Sequence, residues 1–241
     1  MTSLAYGLML CAGAATVASA QLRVDPARLH AGRELYRVSV MHGDTTDTIG
    51  THSVTQSAAD YGGRRVWVLA EQRAGRAVSL DSLVIDSASA RPVHWGGMLP
   101  LSHLALELAN DTLYGVIASS QGRASVNAGV PPNAMLTGAG LAEALLQAPL
   151  SLIWTDSTSI VVADVAGVAV LPSAVMVERE ESVNTLAGRF DCWVVKLAGA
   201  FGELRLWVAR DGRAIVRREQ ALPRAGGVLV EELVVLERAA P

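Results

Sequence analysis

FDCWVVKLAGAFGELRLWVARDGRAIVRREQALPRAGGVLVEELVVLE, Phe190–Glu237, is the stretch whose period decides the fold. Cys192, Val194 and Lys196 alternate with Trp193, Val195 and Leu197. Leu204, Leu206 and Val208 alternate with Glu203, Arg205 and Trp207, and Ala214, Val216 and Arg218 with Ile215, Arg217 and Glu219. Period two places successive side chains on opposite faces of a strand. Gly199, Asp211-Gly212 and Gly226-Gly227 punctuate the alternation as turns. The connections are short, so consecutive strands are neighbours, and the segment predicts a four-strand antiparallel meander.

The same pattern recurs upstream. Arg33–Gly43, Thr46–Ser57, Gly63–Gln72, Ala77–Ala88 and Asp111–Ser119 read as strands, with Arg73–Arg76 as a hairpin connection. Arg91–Leu99 opens beside Pro92 and is expected to bend at Gly96-Gly97. Leu101–Ala109 fits a strand or a short helix. Gly129–Gly140 reads as a loop. Leu141–Leu150 has good helix formers, with Leu141, Leu145 and Ala148 at helical spacing and Pro149 as a stop. Ser159–Glu180 is valine-rich, with expected turns at Gly167 and Pro172. One helix among many strands excludes a βαβ architecture. The fold class is all-β, or a β-dominated α+β arrangement. It is a curved antiparallel sheet, as a barrel or a half-barrel with one or two short helices, one of them against its concave side.

Residues 1–20 combine a mainly apolar run, Leu4–Ala18, with an Ala18-Ser19-Ala20 ending, the shape of a secretory signal peptide. The segment carries no Lys or Arg. An uncleaved anchor is the rival reading, but the run falls short of the ~20 apolar residues of a helical span. The expected organisation is therefore a signal at 1–20 and a single β-rich domain at 21–241, placed in the periplasm or outside the cell. No integral membrane segment is expected after cleavage. The formal net charge of −3, without clustered Lys and Arg, gives no electrostatic footprint for nucleic acid. Aromatic residues at 5% are too few for the girdles of an outer-membrane barrel.

Candidate chemistry is sparse. Cys11 lies in the signal segment, which leaves Cys192 as the one thiol of the mature chain. On a strand beside Val194 it reads as a small buried hydrophobe. His30, His42, His52, His94 and His103 occur singly, without metal-ligand spacing, and read as isolated surface or half-buried residues. His42–Gly50 reads as a hairpin turn into a polar strand. Gly-x-Ser-x-Gly does not occur, and Glu178, Glu180 and Glu181 around Arg179 read as a solvated edge. No catalytic residue, metal site or cofactor is expected. Trp67, Trp193 and Trp207 lie on strands and serve either as core or as an apolar ligand wall.

LAGRFDCWVVKL, GELRLWVARDGRAIVRRE and, near the N-terminus, GRELYRVSVMHGDTTDTIGTHSV resemble an uncharacterised family of exported bacterial β-rich proteins. More distantly, they are similar to the lipoprotein-carrier half-barrels of the bacterial envelope. The resemblance spans most of residues 32–237 and implies a curved antiparallel fold. From the carriers it implies an acyl-chain site, and it supplies no catalytic residues. The reading is a non-enzymatic exported envelope protein that binds an apolar or acyl ligand, or a lipidated protein. Lining candidates are Trp67, Trp193, Val194, Leu206 and Trp207. Neighbours in sequence face opposite ways, so Trp193 with Val194, and Leu206 with Trp207, define two rival faces. The alternatives are a structural or protein-interaction module with a filled core, and a hydrolase whose site assembles from distant residues.

Overall fold

Alternating apolar and polar side chains bury one face of a strand, and this chain repeats that solution from Gly32 to Arg238. The computed structural model describes residues 22–238 except 133, 165, 200, 201, 213 and 223–225. The signal-like segment, with Cys11, lies outside the described residues. The first half is an unbroken run of hairpins: β1 (Gly32–His42), β2 (Thr45–Tyr61), β3 (Arg64–Gly75), β4 (Ser79–Asp86), β5 (Pro92–Leu99), β6 (Ser102–Ala109), β7 (Thr112–Ser119) and β8 (Gly122–Gly129). Then come β9 (Ala134–Leu136), helix α1 (Thr137–Gln147) and β10 (Thr155–Asp164). The second run is β11 (Gly167–Thr185), β12 (Gly188–Gly199), β13 (Gly202–Ala209), β14 (Ile215–Leu222) and β15 (Gly227–Arg238).

All strands join one 15-stranded sheet, ordered β8 to β1, then β15 back to β9. The first and last strands meet at its middle, with Gly32 opposite Arg238 and Met41 opposite Val228. Every pairing is antiparallel except β9 with β10. The edges, β8 and β9, do not pair with each other, so the sheet is an open half-barrel rather than a closed one. The predicted meander is present as β12–β15.

Several local expectations are corrected. β5 runs straight through Gly96-Gly97, where a Cβ on Gly97 would lie 2.6 Å from the Leu80 carbonyl oxygen. Those glycines admit a neighbouring strand rather than a bend. Pro172 sits within β11, opposite Ser159, and makes no turn. Leu101–Ala109 is strand β6; β7 follows through Asn110-Asp111, whose φ angles of 50° and 57° fit a two-residue type I′ hairpin. The loop read over Gly129–Gly140 contains β9 and the first turn of α1. This makes β9–α1–β10 a single parallel β-α-β unit within an otherwise antiparallel sheet. Glu178–Glu181 lies on β11, an interior strand and not an edge, and its charges are split between the two faces, with Glu180 opposite Trp193 and Glu181 opposite Cys192. Glu178 accepts from Arg205 at 2.9 Å, and Glu180 pairs with Arg210 at 2.9 Å.

The core lies between the concave face and α1. Leu83, Ile85, Leu104, Leu106, Val175, Val195, Leu197 and Leu206 project from the sheet towards Leu141 and Leu145 of the helix. Residues 139–146 are all buried, so α1 is enclosed on every side rather than amphipathic. Its small residues permit this: a Cβ on Gly140 would already lie 3.0 Å from Leu83 Cδ2. Leu22, Val24 and Leu29 of the N-terminal segment join the same core. That segment is tied down by Leu22 N–H donating to Asp156 at 3.0 Å and Arg28 donating to the Gln147 carbonyl at 2.8 Å. Among the described residues, no helix is long and apolar enough to cross a membrane.

Candidate functional site

Beside the apolar floor, the inward positions of β1, β2, β3, β14 and β15 carry charge instead of hydrocarbon. The registers place Tyr36 opposite His52, His52 opposite Arg73, Val54 opposite Glu71, and Arg218 opposite Glu231. With Glu34, also on the inward side of β1, these side chains form one buried cluster. Glu34, His52, Glu71, Arg218 and Glu231 are all at most 8% exposed.

Glu231 is its hub. Its carboxylate contacts His52 Nδ1 at 2.8 Å and accepts from Arg73 at 3.3 Å, and it lies 3.8 Å from Arg218 Nε. Burial pushes the Glu231 carboxyl up, but the His52 hydrogen bond and the charges of His52, Arg218 and Arg73 outweigh it. The net result lies well below the usual carboxylate range. Burial alone would likewise lower the Arg218 guanidinium. Tyr36, Glu231, Glu71 and Glu34 around it reverse the sign and hold the proton more firmly. The Tyr36 ring packs under Arg218 at 5.1 Å and stacks on His52 with centroids 5.5 Å apart. Tyr36 donates its hydroxyl hydrogen to Glu34. Asp81, on the neighbouring β4, accepts from the Trp95 indole N–H at 2.7 Å. Burial, with the Glu71 charge, pushes its carboxyl up to about 6 despite that bond.

A cavity of about 300 Å³ opens where this cluster meets the floor, between α1 and strands β13–β15. Leu141 and Ala142 of the helix, with Leu204, Leu206, Ile215 and Leu229 of the sheet, make its apolar wall. Arg73, Arg218, Glu231 and Gln220 make its polar end. Leu204, Arg73, Gln220 and Leu229 are only half-buried and mark the mouth. Just behind the wall, the Glu71 carboxylate rests against the first turn of α1. A Cβ on Gly138 would sit 3.2 Å from both of its oxygens. The positive end of the helix dipole favours a carboxylate there.

Of the five lining candidates, the structure brings Leu206 to this cavity. Trp67 and Trp193 share its face but pack, half-buried, against the main core, outside the cavity lining. Val194 and Trp207 face the other way. They stand opposite one another in the β12–β13 register and belong to a second, smaller core with Phe190, Cys192 and Ala209. The Trp207 ring is covered by Arg217 at 5.4 Å and Arg179 at 5.9 Å. Cys192 is fully buried in that second core. Burial, with Asp191, Asp211 and Glu181 nearby, pushes its thiol up to about 12, the condition of an inert sulfur.

The charged half of the site escaped the sequence reading. His52 in particular is neither surface nor half-buried; it is fully enclosed among carboxylates. The available signal was charge at inward-parity positions of otherwise apolar central strands, at Glu71, Arg218 and Glu231.

No protein-family model matches the sequence, and no curated protein matches it. Solved structures do align with it. A β-barrel-like protein of domain of unknown function DUF1849 from Brucella abortus superposes with a TM-score of 0.60. That match covers 88% of this chain and 99% of that chain at 12% identity. A protein with a YmcC-like fold from Bacteroides fragilis aligns over 90% of this chain and 98% of its own, at 10% identity and a TM-score of 0.37. The first likeness establishes that this β-barrel-like fold is shared with another bacterial protein.

Proposed function

We propose that the protein is a non-enzymatic, exported envelope protein that binds an acyl chain, free or attached to a lipidated partner, in the cavity beneath α1. The observation that carries this is the cavity's division into a hydrocarbon wall of Leu141, Leu204, Leu206, Ile215 and Leu229 and a charged end at Arg73, Arg218 and Glu231. Small-molecule sites combine apolar walls with a few placed polar groups in this way. At ~30 Å³ per water-sized group, the volume accepts about ten such groups, the scale of a medium acyl chain. Each methylene moved from water to such a wall contributes ~0.8 kcal/mol. The signal-like residues 1–20 support export, with residues 21–241 as the mature domain.

Native mass spectrometry of the exported protein, followed by solvent extraction and lipid mass analysis, tests the reading. A stoichiometric acyl ligand is expected, and Leu206→Trp, which fills the cavity, should release it. A protein that stays ligand-free after medium-chain lipids are added back refutes acyl binding.

A further inference from the structure

The polar end of the cavity is crowded with charge yet short of hydrogen bonds. Arg218 Nη1 stands 3.6 Å from Glu71 Oε1, Arg73 Nη1 3.8 Å from Glu71 Oε2, and His52 Nε2 3.9 Å from Glu71 Oε1. These are ion-pair distances, at or beyond the ~3.6 Å at which an N–H···O contact no longer counts as a hydrogen bond. Arg218 Nε and Nη2, two donors of one guanidinium, have no hydrogen-bond partner, and neither does the acceptor Glu71 Oε1. Both side chains are at least nine-tenths buried, and Arg218 lines the cavity directly. Buried polar atoms left unmatched are costly, so a ligand that supplies their partners gains affinity and one that cannot loses it.

Charge decides which head can supply them. Three buried carboxylates, Glu34, Glu71 and Glu231, stand among two guanidiniums, Arg73 and Arg218, and the His52 ring, which lies against Glu71 and Glu231. A ligand carboxylate set on Arg218 would meet Glu71 and Glu231, each already within 4 Å of that same guanidinium. An alkylammonium would instead face Arg218 and Arg73 at the mouth. Like charges at such range repel strongly in a low-dielectric site. We infer that the cavity selects an acyl chain whose head is uncharged and both donates and accepts hydrogen bonds, as a glycerol hydroxyl or an amide does. Such a head accepts from Arg218 and donates to Glu231, both of which line the cavity, without disturbing the charge balance. This inference rests on the acyl-binding reading.

Isothermal titration of the native chain with 1-monodecanoylglycerol, decanoate and decylamine, each below its micelle concentration at pH 7.5, tests it. Monodecanoylglycerol is expected to bind at least tenfold more tightly than either charged chain, and Leu206→Trp to abolish its binding. In Glu71→Gln, which removes one charge but keeps an acceptor oxygen, decanoate affinity should rise at least fivefold. A thermal unfolding midpoint verifies that the variant is folded. The ranking in the native chain decides without any variant. If decanoate or decylamine binds as tightly as monodecanoylglycerol and Leu206→Trp removes both, head selection is wrong while acyl binding stands. If none of the three binds, both fall. An unchanged decanoate affinity in folded Glu71→Gln overturns the charge argument.

Discussion

The concave face holds two regions built on different physics. Under α1, Leu83, Leu106, Val195 and Leu197 meet Leu141 and Leu145, and the gain is apolar area removed from water. A few strands away, Glu34, His52, Glu71, Arg218 and Glu231 are equally buried, and each charge depends on a partner. Taking charges out of water costs several kcal/mol per ion, and their mutual attraction roughly offsets that. The floor therefore stabilises the fold, whereas the charged strip is nearly neutral as a set and fragile in its parts. A strip that adds little stability, yet sits at the end of a cavity that α1 lines, is where selection of the proposed ligand would belong.

The largest effect should come from breaking the strip at its hub. Glu231→Ala removes the carboxylate shared by His52, Arg73 and Arg218, and should destabilise by about 3–5 kcal/mol in urea unfolding at pH 7. The double variant Arg218→Met/Glu231→Leu should lose much less, because it removes charge and partner together. A double variant as unstable as the single would mean that the strip is a net stabiliser and remove the contrast with the floor. On the floor, Leu145→Ala should cost about 3 kcal/mol through lost burial and the space left behind. No companion substitution that removes a further side chain should rescue it.

Two carboxylates of this face carry opposite pH signs. Glu231 is held low in the fold, so its stabilisation is present above the ordinary carboxylate pKa and disappears as pH falls through the folded value. Asp81 is pushed up to about 6, so its favourable protonated state contributes fully below the unfolded pKa and is lost as pH rises through about 6. Asp81→Asn keeps an oxygen for the Trp95 N–H. It should stabilise the protein by about 1–3 kcal/mol at pH 8, with the difference vanishing below about pH 4. Urea midpoints at pH 4 and pH 8 measure this; an equal gain at both values would show that burial of the Asp81 charge is not the cause.

How far the sequence carried these conclusions follows from what period two encodes. Alternation over Phe190–Glu237 gives the meander, its faces and the separation of Leu206 from Trp207, all local properties of a strand. It is silent on which strand from the first half completes the sheet, so it could not bring Glu71 and His52 to Arg218. Those contacts depend on β1 pairing with β15, nearly two hundred residues apart. The helix was legible from Leu141 onward because Leu and Ala favour it. Its first turn, Thr137–Gly140, was not, since two glycines signal a loop unless close packing such as that against Leu83 requires them. The bends read at Gly96-Gly97 and Pro172 failed for a related reason: tertiary context overrode the local signal.

The smallest effect sharpens the comparison most, because it concerns adjacent residues of one strand. Glu231 and Glu232 are indistinguishable as letters, yet β15 turns the first inward and the second outward. Glu232 accepts from Arg37 at 2.7 Å and stands 3.4 Å from Arg217 on the solvated face, with its own side chain 27% exposed and Arg37 45%. Water and salt screen such pairs, and ordering two long side chains offsets much of their attraction. Glu232→Gln should therefore cost under about 1 kcal/mol, and the loss should shrink further between 0.05 and 0.5 M salt. Glu231→Ala should remain costly at both salt concentrations, since its partners His52 and Arg218 are shielded from ions. Urea titrations of the two variants at the two ionic strengths provide the check. Similar losses for Glu231 and Glu232 would mean that the strip is hydrated rather than buried, and the distinction between the inner charged face and the outer one would then lie in geometry alone.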